Sequence, residues 1–147
     1  MRKLDEIIED FENNRVSFKV FRDKKELSKN TLLEYQARFV DIKAELRPFK
    51  KEMVKQWIRR DDKAATAIKF RIAIAIHKGE FKDGEGKLIY DACSINAAEK
   101  FASGSDQYKD FVDQRSFYKE SLTNINDVRN DCDSFANLIK DILKTIQ

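Results

Sequence analysis

The stretch that decides the fold class is DQYKDFVDQRSFYKESLTNINDVRNDCDSFANLIKDILKT, residues 106–145, which contains neither glycine nor proline. Its apolar positions alternate spacings of four and three residues, the heptad rhythm of a helix that packs along one seam. The seam consists of Tyr108, Phe111, Arg115, Tyr118, Leu122, Ile125, Arg129, Cys132, Ala136, Ile139, Leu143 and Ile146. This pattern predicts one long helix from Asp106 to about Thr145.

The seam is long for a small chain, and it suggests contact between copies of the protein. Arg115 and Arg129 interrupt it, and a polar group in a seam restricts register and partner at a cost in stability. Four apolar residues lie beside the seam and widen the apolar face: Phe117, Val128, Phe135 and Leu138. We therefore expect a homo-oligomer. The predicted contact residues are Tyr118, Leu122, Ile125, Cys132, Ile139 and Leu143.

Composition supports a mainly α fold in a single domain, residues 1–147. The chain has 147 residues, 37% of them charged, with only four glycines and one proline. We divide it into N-terminal helices (1–46), a basic helix with a small β-hairpin (47–90) and C-terminal assembly helices (91–147). Together they predict an elongated protein in which the hairpin separates the basic helix from a coiled-coil-like final helix.

The first part of the chain is harder to interpret. Apolar residues at helical spacing predict a helix over about Arg2 to Phe11, broken by Asn13 and Asn14. Between Val16 and Val20 apolar and polar residues alternate, which indicates either a short strand or an extended connector. A second helix is capped by Ser28 or Asn30.

Proline and glycine set the next expected boundaries. The second helix ends or kinks near Arg47, because the residue before Pro48 is biased away from helical angles. Nothing breaks the pattern from Phe49 to His77, which predicts one continuous helix that ends at Gly79. The turn residues at 83–86, flanked by apolar positions, predict the small hairpin.

Two serines mark the last helix starts. A short helix is expected over Ser94 to Ala102, ending at Ser103 and Gly104. Ser105 then caps the long final helix, with Asp106 favourably placed in its first turn.

Positive charge is concentrated in the middle of the chain. Residues 47–90 carry twelve basic and six acidic side chains, whereas residues 1–46 are neutral and residues 91–147 carry a net −3. Clustered cations favour polyanions, because they release counterions from phosphates. The alternative is that these cations only keep a helix soluble, but we favour nucleic acid because the excess is large and confined to one segment. The side chains predicted to contact it are Lys51, Lys55, Arg59, Arg60, Lys63, Lys69 and Arg71.

Aromatic residues are interleaved with these cations. Phe49, Trp57 and Phe70 supply the flat apolar surface that suits unstacked bases of a single strand. The alternative for Trp57 and Phe70 is a place in the core, which we favour for Trp57. Lys69 and Arg71 flank Phe70 and diverge by about 200° around a helix.

Residues for catalysis are scarce. His77 is the single histidine, and its position fits a surface or helix-capping group. The sequence has no Gly-rich phosphate loop, paired-cysteine metal motif or nucleophile motif. Acidic pairs such as Asp61 and Asp62 are interpreted as solvated helix faces, and Cys93 and Cys132 as reduced, packed thiols. We expect no enzyme activity, no metal and no cofactor.

Three motifs resemble the UvsY-type phage recombination mediators. They are KKEM at 50–53 followed by AIKFRI at 67–72, the acidic glycine turn HKGEFKDGEG at 77–86, and SDQYKDF at 105–111 with the helix pattern that follows it. The resemblance covers roughly residues 31–142. It implies a phage-encoded protein of the host cytoplasm that loads a recombinase onto single-stranded DNA covered by single-strand binding protein. It makes Lys69 and Arg71 the DNA contacts and the C-terminal helix the assembly element.

Other interpretations of the basic segment remain open. It could instead dock on an acidic surface of a host protein, as a phage interaction or inhibitor module, or the chain could be a purely structural coiled coil. No run of the roughly 20 apolar residues that a membrane span needs is present, and Met1 to Asp10 is amphipathic and acidic, so we expect no membrane association.

Overall fold

The computed structural model describes residues 1–24 and 27–146, and this part of the chain forms five α-helices. They are α1 (Leu4–Arg22), α2 (Lys29–Ile58), α3 (Asp62–His77), α4 (Ile95–Gly104) and α5 (Asp106–Thr145). The predicted mainly α fold is confirmed. Within the described ranges, none of the helices combines the length and the apolar character needed to cross a bilayer.

The chain divides into two compact units. The first unit comprises Met1–Met53 and Ser121–Gln147, and the second unit comprises Val54–Glu120. Both boundaries fall inside long helices, α2 and α5, and so differ from the three segments drawn from the sequence.

The first unit has a core shared by α1, α2 and the second half of α5. Its buried members are Ile7, Phe11, Phe18, Leu32, Tyr35, Phe39, Ile42, Leu46, Ile125, Cys132 and Ile139. Phe135 packs at the centre of an aromatic group, with its ring 4.9 Å from that of Phe39. Burial of each large apolar side chain contributes roughly 1.5–3 kcal/mol.

Helix α1 is longer than predicted, and the expected break at Asn13 and Asn14 is wrong. The side-chain amide of Asn14 donates to the carbonyl oxygen of Asp10 at 2.8 Å and to its carboxylate at 2.9 Å, so it is satisfied without leaving the helix. The expected strand or connector at Val16 to Val20 is wrong as well. Phe18 lies two helical turns after Phe11, and both are buried in the same core.

Helix α2 begins where the capping prediction placed it. The Ser28 hydroxyl accepts from the backbone N–H of Thr31 at 3.4 Å. The helix does not end at Arg47. Pro48 lies inside α2, which continues to Ile58. Leu46 before the proline and Phe49 after it pack in the first-unit core. These contacts offset the cost of a proline inside a helix.

The predicted continuous helix from Phe49 to His77 is also wrong, because α2 and α3 are separate. The backbone N–H of Arg60 closes the end of α2 on the carbonyl of Trp57 at 3.0 Å. Asp61 then adopts an extended conformation, and its carboxylate accepts from the N–H of Ala64 at 2.8 Å, which is an N-cap. The interpretation of Asp61 as part of a solvated helix face is therefore wrong.

The second unit is built on the packing of α3 against α4. Ile72, Ala73, Ile76, Ala98 and Ala102 form its buried core. Small alanines on both helices allow their backbones to approach closely. The predicted end of α3 is confirmed at Gly79, where φ is +69° and a Cβ would lie 3.3 Å from that of Ala92.

The predicted two-stranded hairpin is not seen. One antiparallel β-bridge joins Lys82 to Leu88, and the Asp83 carboxylate accepts from the N–H groups of Glu85 and Lys87 at 2.9 Å each. Phe81 and Tyr90, which lie on either side of this bridge in sequence, pack against the second-unit core.

The last two helices begin at the predicted serines. The Ser94 hydroxyl accepts from the N–H of Ala97 at 3.3 Å, and that of Ser105 accepts from the N–H of Tyr108 at 3.3 Å. The long final helix ends at Thr145, as predicted.

Candidate nucleic-acid interface

The predicted cations are divided among helices rather than aligned along one. Lys51 belongs to the part of α2 in the first unit. Lys55, Arg59 and Arg60 lie at the end of α2 within the second unit. Lys63, Lys69 and Arg71 lie on α3 in the same unit. Six of the seven therefore belong to one compact body.

Helix α3 presents an exposed surface that we call the outer face of α3, formed by Lys63, Thr66, Ala67, Phe70, Arg71 and His77. Lys63, Phe70 and His77 follow at intervals of seven residues, about two turns each, so they align along the helix. Phe70 is 56% exposed, which makes the core interpretation of this residue wrong. Trp57, by contrast, is half-buried.

The cations around Phe70 are not engaged inside the protein. The side chains of Lys63 and Arg71 form no hydrogen bond or ion pair with any residue in the described ranges. Both are exposed, so each retains its full capacity to bind an external anion.

Lys69 lies on a different side of α3 from Arg71, as the predicted angle requires. It is half-buried and lines a shallow groove of about 420 Å³ between α3 and α4. Asn96, Glu99, Lys100 and Ser103 of α4 form the rest of this α3–α4 groove. The hydroxyl of Ser103 donates to the Glu99 carbonyl at 3.1 Å.

Sequence reasoning missed the α4 side of this groove. Lys100 is a single lysine in a short helix and stands out by no composition or spacing. Only the packing of α3 on α4 brings it to the same groove as Lys69, and two lysines and one carboxylate, that of Glu99, line this groove.

Arg60 has a structural role. Its guanidinium carbon lies 4.7 Å from the centre of the Tyr118 ring. It donates to the carbonyl and side-chain oxygens of Gln56 at 3.1 and 2.8 Å, and to the side-chain oxygen of Gln114 at 3.1 and 3.3 Å. A guanidinium occupied in this way is not available to phosphate, which removes Arg60 from the candidate interface.

Two further exposed cations lie at the end of α2. Lys55 and Arg59 are four residues apart and share a face, with the 59% exposed Ile58 beside them. Arg115 of α5 is occupied, since it pairs with Asp62 at 2.7 Å.

The predicted oligomerisation residues are largely used within the chain itself. Ile125, Cys132 and Ile139 are fully buried in the first-unit core, and Leu143 packs against it. The Tyr118 ring contacts the Arg60 guanidinium, and Leu122 is half-buried. The three buried side chains have no surface left for a second copy in this fold.

The polar groups that sequence analysis singled out serve the fold. His77 ends α3, and its Nδ1–H donates to the carbonyl of Cys93 at 2.6 Å. Both cysteines are free thiols, and burial raises the pKa of the Cys132 thiol to about 12, with the charges of Asp133 and Asp131 acting in the same direction. A thiol with this pKa is a poor nucleophile at neutral pH.

The second unit has little net charge, although some of its surfaces carry unpaired cations. Residues 54–120 contain thirteen Lys and Arg against eleven Asp and Glu, which leaves a net charge of only +2. Positive charge in this unit is therefore confined to local groups of unpaired cations, at the outer face of α3, in the α3–α4 groove and at the end of α2.

Comparison of the chain with protein-family models, with curated proteins and with solved structures found no match. The assignment of a function consequently depends on the site itself.

Proposed function

We propose that the protein binds single-stranded DNA through the outer face of α3 and the adjoining α3–α4 groove. The observation that carries this proposal is Phe70, an aromatic side chain that is 56% exposed and flanked by the unpaired cations Lys63 and Arg71. The combination supports the proposal rather than the exposure alone, because an accessible aromatic face beside two unpaired cations offers stacking to a base and charge to its phosphates.

The chemistry of this face matches an unpaired strand better than a duplex. Stacking of a base on an aromatic side chain is worth roughly 1–3 kcal/mol and does not depend on sequence, since every base has a flat face. Duplex bases are already stacked and are not offered to Phe70. Lys63 and Arg71 would meet the phosphates on either side of a stacked base, and Lys69 with Lys100 would hold the strand in the groove.

The biological role that we propose is recombination mediation. It is supported by the resemblance of KKEM (50–53) and AIKFRI (67–72) to the UvsY-type mediators, in which Lys69 and Arg71 take the place of the DNA contacts. In that role the protein would assist a recombinase on DNA covered by single-strand binding protein, in the cytoplasm of a phage-infected cell. Assembly of several copies would add weak contacts into useful affinity.

The binding proposal is tested by fluorescence anisotropy of a labelled single-stranded oligonucleotide at low and moderate salt. Lys63→Ala with Arg71→Ala should weaken binding at least about tenfold and reduce the magnitude of the salt slope by about 1.4, because two phosphate contacts are lost and each contributes about 0.7 on a single strand. Phe70→Leu should weaken binding about fivefold or more without changing the salt slope.

Lys19→Ala with Arg22→Ala is the matched control, since it removes the same two charges from the exposed end of α1. Its affinity should stay within about twofold of the wild-type value. An equal loss in both double variants would show that binding follows net charge alone and would contradict the proposed site. No binding at low salt would overturn the function and favour a protein partner with an acidic surface.

A further inference from the structure

A second concave site lies elsewhere on the second unit. It is a pocket of about 270 Å³ lined by Phe81, Lys82, Ile89, Tyr90 and residues 104–107. Its volume is below the roughly 300–1,000 Å³ of pockets for drug-sized ligands, so it fits one ring system rather than an extended chain. None of its residues was predicted as a site.

Stacked aromatic rings form one wall of this pocket. Phe81 and Tyr90 are nearly parallel, with ring centres 6.1 Å apart and planes 20° apart. Tyr90 also stacks on Phe101, with ring centres 4.9 Å apart and planes 23° apart. Because Phe81 and Tyr90 also pack against the second-unit core, their orientation is set before any ligand arrives.

The polar lining of the pocket is available for binding. Lys82, Asp106 and Gln107 are exposed, and their side chains have no hydrogen bond or ion pair with the described residues. The Ser105 hydroxyl, in contrast, is already used, because it donates to the Ala102 carbonyl at 2.7 Å and accepts from the N–H of Tyr108. A cation, a carboxylate and an amide thus border the aromatic wall.

We propose that this pocket receives one unstacked nucleobase of the bound single strand. The base would stack on the Phe81 ring, since Tyr90 already stacks on Phe81 and Phe101. Its edge would exchange hydrogen bonds with Gln107 and Asp106, and its phosphate would meet Lys82. This inference rests on the proposed function, and it adds a base-binding subsite on a part of the fold separate from α3.

Gly104 offers a test that leaves the core untouched. It lines the pocket, and a Cβ added there would meet no atom within 4 Å, so Gly104→Leu fills space that a base would occupy. Gly84→Leu is the matched control, because Gly84 is equally open but does not line the pocket. Both variants are made in a Phe70→Leu background, so that stacking on α3 does not mask the result.

The measurement compares the affinity of a thymidine oligomer with that of an abasic oligomer of the same length. The Gly84→Leu protein should prefer the oligomer with bases about fivefold or more, and Gly104→Leu should abolish this preference while retaining affinity for the abasic strand. Gln107→Ala, a change at an exposed side chain, should reduce the preference in the same direction.

Two other results would overturn the inference in distinguishable ways. An unchanged preference in Gly104→Leu, with strand binding intact, would reject the pocket and leave the α3 interface standing. Absence of binding by the wild-type protein to either oligomer would reject the proposed function together with the pocket.

Discussion

Arg129 carries a cost within the first unit. Its Nε–H is buried and has no hydrogen-bond acceptor among the described residues. A buried donor without a partner costs roughly 1–3 kcal/mol, whereas an apolar side chain of similar length would cost nothing of this kind. Arg129 is one of the two arginines that interrupt the apolar seam of α5, and the sequence alone does not show which of its nitrogens lacks a partner.

Arg129→Met should therefore raise the free energy of unfolding by about 1 kcal/mol, because it removes the unpaired donor and keeps a flexible apolar stem. Urea denaturation monitored by circular dichroism measures the change. Arg15→Met on the exposed face of α1, where Arg15 pairs with Glu12, should change stability by less than about 0.5 kcal/mol. A destabilised Arg129→Met protein would mean that the remainder of the guanidinium stabilises the fold.

Cys132 should be unreactive in the folded protein. Its pKa lies near 12, above the ordinary thiol value of 9.0, because burial disfavours the thiolate. The folded state thus holds the proton more tightly than the unfolded state does. This contribution to stability is complete below about pH 9 and is lost as the pH rises towards 12.

At pH 8, alkylation followed by peptide mapping should label the half-buried Cys93 and leave Cys132 unlabelled until denaturant is added. Equal labelling rates for the two thiols in the native protein would contradict the packed position of Cys132.

At the scale of the helix, the sequence predicts a helix boundary well where a serine caps the start of the helix or a glycine ends it. Ser94, Ser105 and Gly79 predict the boundaries of α4, α5 and α3 correctly, because the two hydroxyls accept from the first turn of their helices and Gly79 adopts a positive φ. Asn14 and Asp61 were misinterpreted. Both side chains bond to the backbone, but one does so within a helix and the other at its start, and local sequence does not separate these cases.

Local sequence is also insufficient to define the candidate site, because contacts between distant residues decide which cations are free. Charge clustering selected Lys63, Lys69 and Arg71, which belong to the proposed interface, and it also selected Arg60, whose partners Gln114 and Tyr118 are more than fifty residues away in sequence. The exposure of Phe70 could not be predicted from the sequence either, since an apolar residue at helical spacing is usually buried.

Asp61→Ala should lower the free energy of unfolding by about 1 kcal/mol, because the first turn of α3 loses its cap. Asp61→Ser should restore most of the loss, since a hydroxyl also accepts from the Ala64 N–H. Asp62→Ala serves as the control. The Asp62 side chain is 94% exposed in its pair with Arg115, and such a pair contributes little. Urea denaturation of the three variants decides whether the cap or the ion pair matters.

For the molecule as a whole, buried residues of the α5 seam stabilise the fold of a single chain rather than a contact between copies. Ile139 has no exposed surface and belongs to the first-unit core. Ile139→Ala should cost about 2–5 kcal/mol of unfolding free energy, and the cost should not vary with protein concentration. A loss that shrinks as the concentration rises would show that the side chain is buried between copies instead.

The order in which the two units appear along the chain also has a consequence for biosynthesis. The first unit is interrupted by the whole of the second, so its third helical segment, beginning at Ser121, leaves the ribosome last. At about 5–20 residues per second, α1 and the start of α2 wait roughly 3 to 13 s for it. During this interval Phe11, Phe18 and Phe39 lack Phe135, the ring on which all three converge, and they are open to chaperones and to neighbouring nascent chains. The second unit, made from contiguous sequence, can close its core while that happens.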